Sequence, residues 1–185
     1  MLRVITGTVK GKKLLVADSS RPITDRIRTS IFDTIKDFVQ EAKILDLYAG
    51  SGSFSIEGLS RGAKNTELIE NNAEAIDMIR SNLQNTGFSN KALIHVANVK
   101  TFLTQPQKMK YDLIMLDPPF AVKPEDKLQI LELTIKLLSK EGIIIFRFPT
   151  KEIYPATFGE CTEVYKKKYG ISTVSYYKKQ LSVLK

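Results

Sequence analysis

The sequence predicts an α/β fold, a parallel sheet covered by helices on both faces with a β-hairpin at each end of the chain. Three observations carry that prediction. Between residues 43 and 148 strand-like and helix-like segments alternate, the pattern of parallel strands joined by helical crossovers. The runs 111–117 and 142–148 are apolar almost throughout, as strands buried on both faces are. The β-rich runs 163–168 and 172–179 are joined only by Tyr169-Gly170-Ile171, so they read as an antiparallel hairpin and not as another strand–helix unit.

In chain order, residues 2–16 alternate β-formers with Gly7 and Gly11, which suits a small hairpin with Lys10, Lys12 and Lys13 at its tip. We take residues 1–20 as this extension and 21–185 as the main domain. Arg21-Pro22-Ile23-Thr24-Asp25-Arg26 starts a helix with Thr24 as its N-cap. Ile27, Ile31, Ile35, Phe38 and Val39 form its apolar stripe, and Arg28, Lys36 and Asp37 its opposite face. Strands are then expected at 43–48, 66–70, 92–96, 111–117 and 142–148. Helices are expected at 54–61, 73–84, 99–103 and about 125–138.

A chain of 185 residues has room for one domain with a full core and a small appendage. Its 43% apolar and 26% charged residues are ordinary for a soluble globular protein. No stretch approaches the roughly 20 apolar residues of a membrane span, and no signal peptide is visible, so cytoplasmic residence is expected. A single cysteine, Cys161, excludes an internal disulfide, and with a single histidine, His95, it leaves too few ligands for a zinc site. Both read as structural, no metal is expected, and a monomer suits one small domain.

The net charge of +8 is unevenly spread. Residues 1–28 hold seven basic groups against two acids, +5, and residues 166–185 hold six against none, +6, which leaves −3 for the middle. Basic ends on a mildly acidic core suggest a polyanion partner, nucleic acid first and an anionic membrane second.

Two stretches carry the chemistry. Leu45-Asp46-Leu47-Tyr48-Ala49-Gly50-Ser51-Gly52-Ser53-Phe54 leaves the first sheet strand through a glycine turn and enters a helix. Small residues let the backbone approach a ligand there, and the helix start offers unpaired N–H groups. A dinucleotide binder reads G-x-G-x-x-G, but the third glycine position is Ser55, which weakens a nicotinamide-dependent oxidoreductase. Glu70 ends the next strand, where an acid can accept from ribose hydroxyls. The second stretch is Ile114-Met115-Leu116-Asp117-Pro118-Pro119-Phe120, a buried strand stopped by prolines that cannot donate to a sheet ladder. It places Asp117 as an acceptor, with a flat ring beside it, at a strand's carboxyl end.

Asp117-Pro118-Pro119-Phe120 matches the motif of methyltransferases acting on the exocyclic amine of a base, and Asp46 with the Gly50 turn matches their first motif. The sequence thus resembles the class I S-adenosylmethionine-dependent methyltransferase (Rossmann-like) fold. The basic hairpin, Arg21-Pro22-x-Thr24-Asp25-Arg26-x-Arg28, Leu68-Ile69-Glu70 and the Asp117 loop together resemble the RsmD family, bacterial enzymes that methylate N2 of a guanine in 16S ribosomal RNA.

The resemblance implies S-adenosyl-L-methionine as cofactor, held by Asp46, Tyr48, Ala49, Gly50, Ser51, Gly52, Glu70, Asn71, Asn98 and Val99, with Thr24 and Arg26 bordering the cleft. It implies Asp117 and the Pro118 carbonyl as acceptors for the amine, Pro119 stiffening the loop and Phe120 stacking on a flipped base. It implies ribosomal RNA, or a 30S assembly intermediate, as partner, touched by Arg3, Lys10, Lys12, Lys13, Arg21 and Arg28. The sequence departs from the family at Thr29, at Asn71 and Asn72, and at Arg147, where an acid is common. Arg147 reads as a partly exposed strand-end arginine or a phosphate contact. A DNA adenine-N6 or cytosine-N4 methyltransferase and a non-catalytic RNA-binding assembly factor are the alternatives.

Overall fold

The computed structural model describes residues 2–16, 24–106 and 109–180. Strands β1 (Leu2–Arg3) and β2 (Lys13–Leu14) form a short antiparallel pair. Helix α1 (Asp25–Thr34) and a 3₁₀ turn at Lys36–Phe38 follow. Then come β3 (Lys43–Leu47), α2 (Ser53–Ser60), β4 (Asn65–Glu70), α3 (Ala73–Thr86), β5 (Ala92–Val96) and α4 (Val99–Thr104). The chain continues through β6 (Tyr111–Leu116), α5 (Pro124–Ile135) and β7 (Leu138–Pro149). It ends in β8 (Thr157–Phe158), β9 (Cys161–Tyr169) and β10 (Ser172–Lys179).

The main sheet has the order β5-β4-β3-β6-β7-β10-β9-β8. Its first five strands are parallel, and β10 enters antiparallel between β7 and β9. Alternate residues of the central strands feed two cores. Ile44, Leu113, Met115, Ile143 and Ile145 pack with α1, α2 and α3, whereas Leu45, Ile114, Leu116, Ile144 and Phe146 pack with α4 and α5. Strands buried on both faces explain the unbroken apolar runs.

Several boundaries differ from expectation. Helix α5 stops at Ile135 and β7 begins at Leu138, so the strand claims Leu138–Glu141, four residues of mixed polarity that carry no strand signal of their own. Helix α1 ends before Phe38, which turns outward beneath the Lys178 ammonium, 4.2 Å from its ring centre. Thr24 is the N-cap, its Oγ1 accepting from the Ile27 N–H.

Arg28 is the sharpest correction. Instead of lying on the solvent face it is fully buried, donating to Asp25 (2.9 Å) and to the Arg3 carbonyl, so it cannot reach RNA phosphate. The Arg3 contact ties it to β1 of the hairpin. That hairpin is stitched to the domain: Ile5 and Thr6 N–H groups donate to the buried Glu57 carboxylate (2.7 and 3.0 Å), and Val9 N–H donates to Ser60 Oγ. Gly7 meets Ser60 so closely that a Cβ would lie 1.8 Å from its carbonyl oxygen.

Candidate active site

In an open α/β sheet, ligands bind at the carboxyl ends of strands where the strand order reverses. Here that point lies between β3 and β6, neighbours in the sheet that lead to α2 and α5 on opposite faces. Each strand delivers an acid to it.

The β3 side is built from a turn with left-handed backbone at Tyr48 (φ 64°), Gly50 (56°) and Gly52 (72°). Gly52 N–H closes the turn onto the Ala49 carbonyl at 2.8 Å, and Ala49 N–H donates to the Ile69 carbonyl of β4. Glu70 at the end of β4 accepts from Gly50 N–H (2.9 Å), Asn71 N–H (2.9 Å) and Asn72 N–H (3.0 Å). Three of about four acceptor positions on the carboxylate are thereby filled, and one stays free. The position where a Gly50 side chain would stand is open, with nothing within 4 Å. Asn98 caps α4, its Oδ1 accepting from Lys100 N–H at 2.9 Å, and Val99 beside it is buried.

Asp46 lies beneath this turn. Its Oδ2 accepts from the Ser55 hydroxyl (2.8 Å) and Ser55 N–H (3.3 Å). Burial pushes its carboxyl up to about 7 against the Ser55 hydrogen bonds, with Asp117 and Glu70 adding repulsion. Ser55, which breaks the dinucleotide pattern, is therefore the residue that holds Asp46.

The β6 side is made of side chains. Leu116 pairs with Phe146 across β6 and β7, so the next residue of each strand, Asp117 and Arg147, face each other. Arg147 Nη1 donates to both Asp117 oxygens, at 2.7 and 2.8 Å, and Nε reaches Ser172 Oγ at 3.3 Å. The same guanidinium lies 5.0 Å from the Phe120 ring centre. Burial raises the Asp117 carboxyl above its ordinary range, and Arg147 opposes that rise. The expected free acceptor is thus already engaged. Pro118 is buried and Pro119 exposed.

Behind the loop a fully buried Lys127 donates to both Glu152 oxygens (2.9 and 3.1 Å) and reaches the Phe120 carbonyl, while Tyr154 OH donates to Glu152 at 2.6 Å. This network ties the loop after β6 to the one after β7. Lys127 carries a signal in the sequence: with Ile130, Leu131 and Thr134 it occupies a buried i, i+3, i+4, i+7 stripe. Outside it, a cavity of about 450 Å³ is lined by Phe120, Val122, Lys123, Lys151 and Ile153, the last 94% exposed.

Helix α1 points its N-terminus at the same edge, because Ser30 accepts from Tyr169 OH (2.6 Å) at the end of β9. Thr24, with its hydroxyl used as a cap, and the exposed Arg26 lie at that N-terminus. Arg3, Lys10, Lys12 and Lys13 are exposed, but the hairpin tip packs on Ser60 at the far end of α2, and Lys12 Nζ donates to the Asn85 carbonyl. Arg21 lies outside the described residues. His95 is paired with Glu67 at 2.6 Å and Cys161 is buried. Among the described residues no group of three His, Cys, Asp or Glu could hold a metal, and no helix is long and apolar enough to cross a membrane.

A family model described as conserved hypothetical protein 95 matches residues 2–178. Ribosomal RNA small subunit methyltransferase D of Escherichia coli K12 is 34% identical over 143 residues, covering 76% of this chain and 68% of that protein. The chain belongs to the RsmD family. YlbH of Bacillus subtilis is 32% identical over 186 residues, 97% of this chain and all of that protein. The solved structure of yhhF from Escherichia coli superposes on this RsmD-family chain with a TM-score of 0.84 at 28% identity, covering 97% and 98% of the two chains. The fold is that of the Rossmann-like methyltransferases.

Proposed function

We propose that this chain methylates the exocyclic N2 amine of a guanine in small-subunit ribosomal RNA, in the cytoplasm, with S-adenosylmethionine as donor. One observation supports it above the others: an acid and a flat ring end β6, beside the glycine turn that follows β3 and two strands from the ribose-type acid that ends β4. The site's residues fit the cofactor. The open space over Gly50 admits a ligand against the backbone, and Glu70 keeps an acceptor position for a ribose hydroxyl. Tyr48, Ala49, Ser51 and Gly52 would line the turn, Asn71, Asn98 and Val99 the adenosine side, and Thr24 and Arg26 the rim.

When bound, S-adenosylmethionine supplies a sulfonium methyl, to which N2 bonds while the S–C electron pair stays on sulfur as a thioether. The chain's own residues do the rest. A guanine N2 lone pair is delocalised into the ring, so acceptors on its hydrogens favour a more tetrahedral, more nucleophilic nitrogen. Asp117 and the Pro118 carbonyl supply those acceptors, and the proton N2 sheds passes by way of Asp117 to water. Phe120 stacks on the base and fixes its angle of approach, and positioning of this kind supplies much of the acceleration.

A flipped base needs the RNA strand beside it. Lys123 and Lys151 flank Phe120 and Ile153 in the adjoining cavity, a pairing of cations and apolar faces that suits single-stranded RNA. Arg3, Lys10, Lys12 and Lys13 extend the contact to more distant phosphates. Transfer of tritium from labelled cofactor tests the reading: label enters small-subunit ribosomal RNA and not duplex DNA. Label in DNA alone would make the chain a DNA amine methyltransferase. Cofactor binding without any transfer would make it an assembly factor.

A further inference from the structure

We infer that Arg147 fills the base pocket as an internal stand-in for guanine and must swing out before a base can enter. The inference rests on the base-pocket reading above and names what regulates entry to that pocket.

The N1–H, C2 and N2–H₂ portion of guanine is a cyclic guanidine: a planar carbon flanked by nitrogens that carry only donors on that edge. The arginine head is the same group without the ring. In this structure it makes the two contacts that the target base requires. Nη1 donates to both Asp117 oxygens, and the planar head lies over Phe120. While Arg147 is there, the Asp117 oxygens and the Phe120 face beneath its head are occupied.

Arg147 can also leave. Its remaining hydrogen bond, Nε to Ser172 Oγ, is long at 3.3 Å, and its side chain is partly exposed. Entry of the base is then an exchange of one guanidine for another at the same two partners.

The test uses Arg147→Ala and Arg147→Gln in the full chain, each checked by thermal unfolding. With the stand-in removed, KM for RNA falls roughly threefold to tenfold while kcat changes less, since a partly exposed ion pair no longer competes with the base. Guanidinium chloride at millimolar concentration, well below denaturing levels, then binds both variants in calorimetry and competes with RNA. The wild type neither binds it nor is inhibited.

If KM rises in both folded variants, Arg147 is an RNA contact and the stand-in account is wrong. If the variants methylate RNA with unchanged KM and bind no guanidinium, Arg147 does not stand in for the base, while the proposed reaction stands. If they bind guanidinium competitively with guanosine but neither they nor the wild type methylate any RNA, the stand-in account holds and the proposed reaction falls.

Discussion

The two halves of the cleft satisfy their acids in different ways. Glu70 is held by three backbone N–H groups from the Gly50 turn and the start of α3, whereas Asp117 is held by one side chain from the neighbouring strand. Backbone donors cannot leave without rebuilding the turn, but a side chain can rotate away. The cofactor half is therefore fixed by the fold itself, and the base half is assembled from exchangeable groups. That division suits a reaction in which one ligand is identical at every turnover and the other must be pulled out of a large RNA.

The strongest way to break the comparison is Asp117→Asn, which keeps the shape and removes the charge. Methyl transfer should fall about 10²–10⁴-fold, the range for losing a positioned acid–base or charge-stabilising group. Affinity for S-adenosylhomocysteine, read by calorimetry, should hold within about twofold, because Asp117 makes no hydrogen bond to the Gly50 turn. A large drop in that affinity would mean that the halves are coupled.

Asp46 offers a pH test of the fixed half. Its native carboxyl keeps a proton up to about pH 7, whereas an unfolded aspartate releases it near pH 4. Folding therefore takes up a proton between those values, and this group's contribution to stability falls as pH rises through that window. The fall is about 4 kcal/mol at most, from the linkage between pKa shift and stability. Asp46→Asn lacks it, so urea unfolding from pH 4 to pH 8 should show the variant gaining on the wild type. A pH-independent difference would show that Asp46 is ionised throughout.

Glu70→Gln is a smaller break. The carboxamide retains one acceptor oxygen for three N–H groups, so cofactor affinity should drop by about 1.5–3 kcal/mol, the worth of a hydrogen bond to a charged group. Transfer at saturating cofactor should stay close to wild type. A slower rate with unchanged affinity would place Glu70 on the wrong side of the division.

Much of this architecture is legible in the sequence, and what is not legible has a common cause. Strand β5 and the starts of α3 and α4 are readable because local signals mark them: a short apolar run for the strand, and Asn72 and Asn98 as N-caps. Asp46, Glu70 and Asp117 are readable because each sits at a strand end with its own local pattern. The features that stay hidden depend on residues far apart in the chain. Arg28 looks like a surface arginine until the fold brings it to the Arg3 carbonyl, and the Asp117–Arg147 pair exists only once β6 and β7 are in register. Ser55 reads as a missing glycine because its partner, Asp46, lies before the turn and meets it only once the loop has folded.

The smallest effect concerns the basic hairpin. Charge reversal at Lys10, Lys12 and Lys13 should weaken RNA binding and flatten its salt dependence, by about one unit of slope for each phosphate those lysines neutralise. The same reversal at Lys123 and Lys151, beside the base half, should also raise KM for methyl transfer. An unchanged slope in the hairpin variant would remove that surface from the RNA path and leave the rim of the cleft as the main RNA-binding surface.

The most direct measurement is mass spectrometry of nucleosides from small-subunit ribosomal RNA of a strain lacking this protein, before and after treatment with the purified chain and S-adenosylmethionine. The account predicts that one N2-methylguanosine is absent from the strain, returns with the wild type, and does not return with Asp117→Asn. Return of a different methylated base, or equal return with the variant, would contradict it.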